Sequence, residues 1–188
     1  MTVVALGDSL TAGYGLAQAD SFPVRLEAAL RARGYDVTVV NAGVSGDTIE
    51  DGLARLDWSV PEAADAVIVE LGANNALRGL DPAAAREALD QIVGRLKGRG
   101  AEVLVTGMEA SRSLGHAYVE AFGAMFPEIA EKHGALLYDF FLDGVALDPA
   151  LNQPDGIHPN AKGVDVVVAR ILPKVEELLK RVAQKRGG

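Results

Sequence analysis

The chain contains 188 residues, of which 49% are hydrophobic and 23% are charged, a composition typical of a folded globular protein and not of a disordered or fibrous one. It has no cysteine, which excludes disulfides, cysteine nucleophiles and cysteine-ligated metal centres. Its net charge of -8, with acidic residues scattered along the chain, argues against a nucleic-acid partner.

Short apolar runs alternate with helical patterns along the chain. Strands are predicted at residues 2–6, 37–40, 66–71, 101–106 and 135–138. Helices are predicted from Ser21, a candidate N-cap, to Gly34, over 48–56, from Asp81 to Gly98 or Gly100, over 116–132 with a kink or break at Pro127, and over 160–184 with an interruption at Pro173. This alternation indicates a parallel sheet covered on both faces, an α/β three-layer sandwich. Because no linker or repeat divides the chain, we expect a single domain over residues 1–188.

Polar, glycine-containing segments follow the first three strands, and a fourth precedes the last helix. They are residues 7–13, 41–48, 72–75 and 155–160. The carboxyl ends of parallel strands meet at one edge of a sheet, where the loops carry the functional groups. We therefore predict that these four segments converge on one site.

Several kinds of site are disfavoured by particular residues. Gly13-Tyr14-Gly15 begins a dinucleotide-binding fingerprint, but its third glycine position is Gln18, and no Walker sequence is present. Ser45 lies in a segment that fails the nucleophile-elbow pattern at its fifth position, which favours a turn residue. His116 and His133 are predicted at the surface, and no histidine pair has metal-ligand spacing. We predict neither a metal site nor a cofactor.

The remaining polar residues suggest nucleophilic catalysis. Ser9 directly follows the first buried strand, and His158 lies three residues after Asp155 in a loop without a helix to separate them. A neutral imidazole could accept the serine proton while the carboxylate holds the other ring nitrogen. Acyl transfer also needs donors for an oxyanion, and the backbone N–H groups of Ser9 and Gly46 with the side-chain amide of Asn74 are suitable groups.

These segments resemble the SGNH or GDSL hydrolase superfamily. The resemblance rests on Gly7-Asp8-Ser9-Leu10, Gly46, Asn74 and Asp155-x-x-His158, in that order, and is closest to the bacterial arylesterase, thioesterase I and lysophospholipase branch. It implies a flavodoxin-like five-stranded sheet of order 2-1-3-4-5 and an acyl-enzyme on Ser9. It also implies His158 as base, Asp155 as its orienting partner, and an oxyanion hole of Ser9, Gly46 and Asn74.

The resemblance further implies which residues lie near a small-molecule ester or thioester substrate, including aryl esters, short-to-medium acyl esters and lysophospholipids. These are Asp8, Leu10, Asn75, Leu77, Ser111, Leu114 and Ile157. Two features depart from the family. Asn75 stands where aspartate is common, which removes a charge beside the site, and residues 109–116 are polar where relatives are often proline-rich and more apolar. Activity is expected to survive the first change, and the second bears on substrate range.

Other interpretations remain open. A carbohydrate O-deacetylase would use the same motifs, although 5% aromatic residues and the single Trp58 offer little for sugar stacking. A non-catalytic acyl-binding module is disfavoured by the intact Ser9, Asp155 and His158. We expect no stable membrane insertion and no signal peptide in this chain, and the resemblance implies a periplasmic or secreted location, with a cytoplasmic one as the alternative. The sequence does not indicate an oligomeric state.

Overall fold

The computed structural model describes residues 1–187. Over that range the sheet is built from β1 (Thr2–Gly7), β2 (Thr38–Gly43), β3 (Ala66–Glu70), β4 (Glu102–Thr106) and β5 (Leu136–Tyr138). The five predicted strands are therefore confirmed. The main difference is β2, which continues three residues beyond the predicted end at residue 40. Its last residues include the polar Asn41, whose side chain is exposed at this edge strand, so the sequence there resembles a loop.

The sheet is parallel throughout, with the order β2-β1-β3-β4-β5. This confirms the flavodoxin-like order implied by the resemblance. In the register of the three neighbouring strands, Gly7 at the end of β1 lies opposite Gly43 of β2 and Glu70 of β3. Because these strands end at the same level, the residues that follow them are brought together at one edge of the sheet.

Helices cover both faces of the sheet. Within the described residues they are α1 (Ser9–Ala12), α2 (Phe22–Ala32), α3 (Ile49–Ala54), α4 (Leu56–Ser59), α5 (Ala73–Arg78), α6 (Pro82–Gly98), α7 (His116–His133) and α8 (Ala161–Gly187). Helices α2 and α8 pack together over one face, and α6 packs against both α3 and α7 over the other. The three-layer sandwich predicted from the alternation of elements is confirmed.

The helices differ from the prediction in detail. Both α7 and α8 run through their prolines, Pro127 and Pro173, without the predicted break. Buried apolar residues on both sides of each proline hold the helix against the core, which offsets the cost of the missing backbone hydrogen bond. Ser21 is the N-cap residue of α2, as predicted, but its hydroxyl donates to the Gln18 carbonyl and makes no capping hydrogen bond to the helix. The predicted helix over 48–56 is two helices, and α1 and α5 lie where only loops were expected.

The two ends of the described chain meet at Asp65, just before β3. Its Oδ2 accepts a hydrogen bond of 2.7 Å from the backbone N–H of Thr2, and its Oδ1 pairs with Arg186 near the end of α8. This is the edge of the sheet where the strands begin. Among residues 1–187, no helix combines the length and apolar character that crossing a membrane requires.

Candidate active site

Ser9 is the first residue of α1 and follows the β1 strand after a single residue. That residue, Asp8, caps the helix, since its Oδ1 accepts a hydrogen bond of 3.0 Å from the backbone N–H of Leu10. The helix ends after one turn at Gly13, whose φ of 84° is left-handed. The turn is anchored by Leu10 and Thr11, which are buried. The sequence thus presents the Ser9 hydroxyl at the edge of the sheet on a short, fixed helix.

The structure brings Ser9 and His158 together although 149 residues separate them in sequence. The Ser9 Oγ lies 2.9 Å from His158 Nε2, and His158 Nδ1 lies 2.6 Å from Asp155 Oδ2. The other carboxylate oxygen, Asp155 Oδ1, accepts from the backbone N–H groups of Ile157 and His158 at 2.9 and 3.0 Å. These three predicted residues therefore form one continuous hydrogen-bonded chain.

The carboxylate of Asp155 is held in its charged form by its donors. The backbone N–H of His158 first, then its ring N–H and the N–H of Ile157, lower the pKa of Asp155 from 3.8 to about 2. An ionised carboxylate can only accept, so the Nδ1 atom of His158 carries a hydrogen. In neutral imidazole the lone pair is then on Nε2, the nitrogen that faces Ser9.

Asn74 joins the loops that follow β1 and β2. Its Nδ2 donates to the backbone carbonyl of Asp47 at 2.9 Å and to Asp8 Oδ2 at 3.2 Å. Asp8 directly precedes Ser9, and Asp47 directly follows Gly46. The three predicted oxyanion donors are therefore neighbours. Gly46 has a φ of 89°, a conformation that other residues rarely adopt. In the described chain, the N–H groups of Ser9 and Gly46 donate to no protein acceptor.

Arg55, which the sequence analysis missed, fixes the loop that carries Gly46. Its Nε donates to Asp47 Oδ2 at 2.5 Å, and its two terminal nitrogens donate to the Gly7 carbonyl and to Ser59 Oγ, each at 2.9 Å. The side chains of Arg55 and Asp47 are only 15% and 13% exposed. Arg55 thus ties the end of β1 to the loop after β2. An arginine at helical spacing resembles any surface residue, so the sequence offered no signal.

Asn75, which replaces the aspartate common in the family, is fully buried and does not face solvent. Its Oδ1 accepts from the backbone N–H of Ile49 at 2.9 Å, and its Nδ2 donates to Glu50 Oε2 at 2.8 Å. An amide suits this place because it faces one donor and one acceptor. Asn75 therefore links the start of α5, which carries Asn74, to the start of α3.

A buried carboxyl group lies beside the turn that carries Ser9. Glu70, the last residue of β3, is fully buried, and its Oε2 accepts a hydrogen bond of 2.7 Å from the Thr11 hydroxyl. Its Oε1 has no hydrogen-bond partner among residues 1–187. Burial, and then the charge of Asp8, raise the pKa of Glu70 well above 4.5. An acidic residue that ends an apolar strand was the signal that could have identified it.

The residues predicted near the substrate fall into two groups. Asp8 and Asn75 are fully buried and Leu10 is 6% exposed, so these three lie below the protein surface at the site. The other four, Leu77, Ser111, Leu114 and Ile157, are exposed. Tyr14, which the sequence analysis did not select, also belongs to the rim, because its ring lies 4.7 Å from that of His158 and is 54% exposed.

The other two histidines lie apart from this site. His116 is solvent-facing, as predicted, and its Nδ1 lies 3.3 Å from Glu120 Oε2 on the surface of α7. His133 was predicted at the surface but is only 19% exposed, because it packs toward α6, where its Nε2 lies 2.7 Å from Asp90 Oδ1. Across the part of the chain that the structure describes, no three potential His, Asp or Glu ligands are gathered as a metal site.

Comparison with known proteins gives consistent matches over most of the chain. A family model described as the GDSL-like lipase/acylhydrolase family matches residues 5–166. The chain is 36% identical to the esterase TesA of Pseudomonas aeruginosa, over 95% of the chain and 89% of that protein. It is 39% identical to thioesterase 1/protease 1/lysophospholipase L1 of Escherichia coli, over 85% of the chain and 76% of that protein. The crystal structure of AlinE4, an SGNH-hydrolase family esterase, is similar with a TM-score of 0.79 and 44% identity, over 95% of this chain and 96% of that one.

Proposed function

The chain belongs to the GDSL-like lipase/acylhydrolase family, and on that premise we propose that Ser9 is its nucleophile, His158 its general base and acid, and Asp155 the residue that orients the ring. The chain is a serine ester hydrolase, as its relatives are. The observation that carries the assignment of residues is the uninterrupted chain of contacts from Ser9 Oγ to His158 Nε2 at 2.9 Å and from His158 Nδ1 to Asp155 Oδ2 at 2.6 Å.

In the proposed reaction the Ser9 Oγ attacks the carbonyl carbon of the ester, and its proton passes to His158 Nε2. The carbonyl oxygen becomes an oxyanion, which accepts hydrogen bonds from the N–H groups of Ser9 and Gly46 and from Asn74 Nδ2. The intermediate collapses as His158 returns the proton to the leaving oxygen or sulfur, which leaves an acyl-enzyme. Water then attacks the acyl-enzyme with His158 as base, and the acid is released with Ser9 reprotonated.

We propose aryl and short-to-medium acyl esters as substrates, with thioesters and lysophospholipids as further candidates. Exposed apolar side chains in the segments that follow the first four strands, and in the loop that carries His158, support this range: they are Tyr14, Val44, Leu77, Leu114 and Ile157. The names of the relatives, which are esterase, arylesterase and thioesterase/lysophospholipase, also support it. The alternative of a carbohydrate O-deacetylase is not favoured by these relatives. A periplasmic or secreted location is proposed on the family resemblance, and fractionation of cells that produce the tagged protein tests it.

The test is a panel of nitrophenyl esters of increasing acyl length and of acyl-CoA thioesters, measured with the wild-type protein, Ser9→Ala and Ser45→Ala. Ser45 is an exposed serine in the neighbouring loop and serves as the matched control. We expect turnover and labelling by a fluorophosphonate in the wild type and in Ser45→Ala, and neither in Ser9→Ala. Labelling that persists in Ser9→Ala would contradict the nucleophile assignment, and a wild type without turnover would favour the acyl-binding module.

A further inference from the structure

The side-chain amide of Asn74 is fixed by two acceptors on different loops. Its Nδ2 carries two hydrogens, and both are used: one by the Asp47 carbonyl at 2.9 Å and one by Asp8 Oδ2 at 3.2 Å. The Asp47 carbonyl is held indirectly by Arg55, which binds the Asp47 side chain. The Asp8 carboxylate is fully buried, and its other oxygen is held by the backbone N–H of Leu10. Together the two acceptors set the plane of the amide.

We propose that Asp8 is a positioning residue for this hydrolysis, whose carboxylate holds the Asn74 amide in the orientation from which it donates to the oxyanion. The inference rests on the oxyanion role proposed above for Asn74. Because both N–H groups are already engaged, an oxyanion must share one of them with its present acceptor. Asp8 also accepts from the backbone N–H of Leu10, so one carboxylate fixes both the helix that carries Ser9 and the amide of Asn74.

The carboxylate form of Asp8 is required for this role. The two oxygens of Asp8 accept from two donors, the backbone N–H of Leu10 and the amide of Asn74. Protonation turns one oxygen into a donor, which then faces an N–H group that is also a donor. His158 favours the charge of Asp8, whereas Asp47, which is paired with Arg55, disfavours it, and the charge of Asp8 in turn raises the pKa of the neighbouring Glu70. Burial outweighs the favourable contacts and raises the pKa of Asp8 to about 6. Asp8 therefore changes charge within the pH range in which such an enzyme is assayed.

The test is a double-mutant cycle on kcat and KM for a nitrophenyl ester, with Asp8→Asn, Asn74→Ala and the double variant. Asparagine has the shape of aspartate but offers one acceptor oxygen, so it satisfies Leu10 or Asn74 and not both. We expect Asp8→Asn to lower kcat by about 10- to 100-fold with KM changed by less than about threefold. The double variant should lose no more than about threefold beyond Asn74→Ala. If the loss of kcat in the double variant equals the product of the losses in the two single variants, the proposal is overturned.

The matched control is Asp81→Asn. Asp81 caps α6 with the same type of bond, to the backbone N–H of Ala83 at 2.9 Å, and contacts none of the proposed catalytic groups. Because asparagine caps a helix about as well as aspartate, we expect little change in thermal unfolding and none in kcat. A loss of kcat in Asp81→Asn equal to that in Asp8→Asn would assign the effect of Asp8 to helix capping alone and would overturn the proposal.

The pH dependence of kcat/KM provides a test that does not depend on an Asp8 variant folding. As the pH falls through about 6, protonation of Asp8 should lower kcat/KM in the wild type but not in Asn74→Ala, which lacks the amide that Asp8 holds. The ratio of the two kcat/KM values should therefore shrink by about 10- to 100-fold below this pH. A ratio that does not change with pH would overturn the proposal and leave the nucleophile assignment intact, since that assignment fails only if Ser9→Ala keeps turnover or the wild type has none.

Discussion

Removing the guanidinium of Arg55 should destabilise the fold far more than loss of a surface ion pair. Arg55→Met keeps the aliphatic stem and deletes donors to Asp47 Oδ2 at 2.5 Å and to the Gly7 carbonyl and Ser59 Oγ at 2.9 Å. Over residues 1–187 no other donor reaches the Asp47 carboxylate, which is 13% exposed. An uncompensated buried charge costs about 3 to 5 kcal/mol, and the free energy of unfolding should fall by that amount.

A second substitution separates the cost of the unpaired Asp47 charge from the cost of the other lost hydrogen bonds. Asp47→Asn in the Arg55→Met background removes the unpaired carboxylate and leaves two neutral acceptors, Gly7 and Ser59, without their donor. Neutral hydrogen bonds of this kind contribute about 1 kcal/mol each. The free energy of unfolding of the double variant should therefore be about 1 to 2 kcal/mol below that of the wild type. The double variant should therefore be more stable than Arg55→Met alone.

Urea unfolding at pH 7 measures these differences, with the m-value as a check that the unfolded state is unchanged. The loss for Arg55→Met corresponds to a fall in Tm of roughly 2 to 4 °C per kcal/mol. Arg170→Met is the matched control, because Arg170 and Asp143 form an ion pair that is also 2.5 Å long but about half exposed. Arg170→Met should lower the free energy of unfolding by about 1 kcal/mol or less. Equal losses in Arg55→Met and Arg170→Met, or no recovery on adding Asp47→Asn, would refute this reasoning.

Three further predictions concern individual polar groups. Asn75→Asp places a carboxylate 2.8 Å from Glu50 Oε2 with no donor between them, so it should destabilise the protein by about 2 kcal/mol at pH 7, and Glu50→Gln should restore stability. The pKa of Asp8 is raised from 3.8 to about 6 by burial, so the folded state keeps a proton that the unfolded state has lost. The contribution of Asp8 to the free energy of unfolding should therefore decrease by up to about 3 kcal/mol as pH rises through this interval. Chemical denaturation at several pH values measures the decrease, and Asp8→Asn should make it smaller by that amount. Asp155→Asn offers one acceptor in place of two and disturbs the tautomer of His158, so kcat/KM for nitrophenyl acetate should fall by about 100- to 10,000-fold, and a loss below tenfold would contradict its orienting role.

The sheet was predictable because its signal is local. Fully buried strands such as β1 and β3 require uninterrupted apolar runs, and the right-handed connections between them restrict the order of strands. The end of β2 was missed because hydrogen bonding to β1, and not side-chain character, makes residues 41–43 part of the sheet. The helices α1 and α5 were missed because each has six residues or fewer, too few to show a period, before a left-handed glycine, Gly13 or Gly79, ends it.

The chemistry-bearing side chains were predictable for a different reason. Ser9, Asn74 and His158 each sit in a polar segment next to an apolar element, so topology alone implies that they meet. The residues that support them carry no such signal. The roles of Arg55 and Glu70 depend on partners that lie across the fold. Arg55 donates to the carbonyl of Gly7, which is 48 positions away in sequence, and Glu70 accepts from the hydroxyl of Thr11, which is 59 positions away. Long-range partners of single side chains are not encoded in any local pattern.

The meeting of both chain ends at Asp65 has a practical consequence. Ser9 and His158 are presented where the strands finish, whereas Thr2 and Arg186 are held where they start. A tag, a surface tether or a fused domain joined next to Thr2 or Arg186 will therefore start at the edge of the sheet opposite Ser9 and His158. Enzyme immobilised on a support through either of these positions should keep the Ser9 edge toward bulk solution.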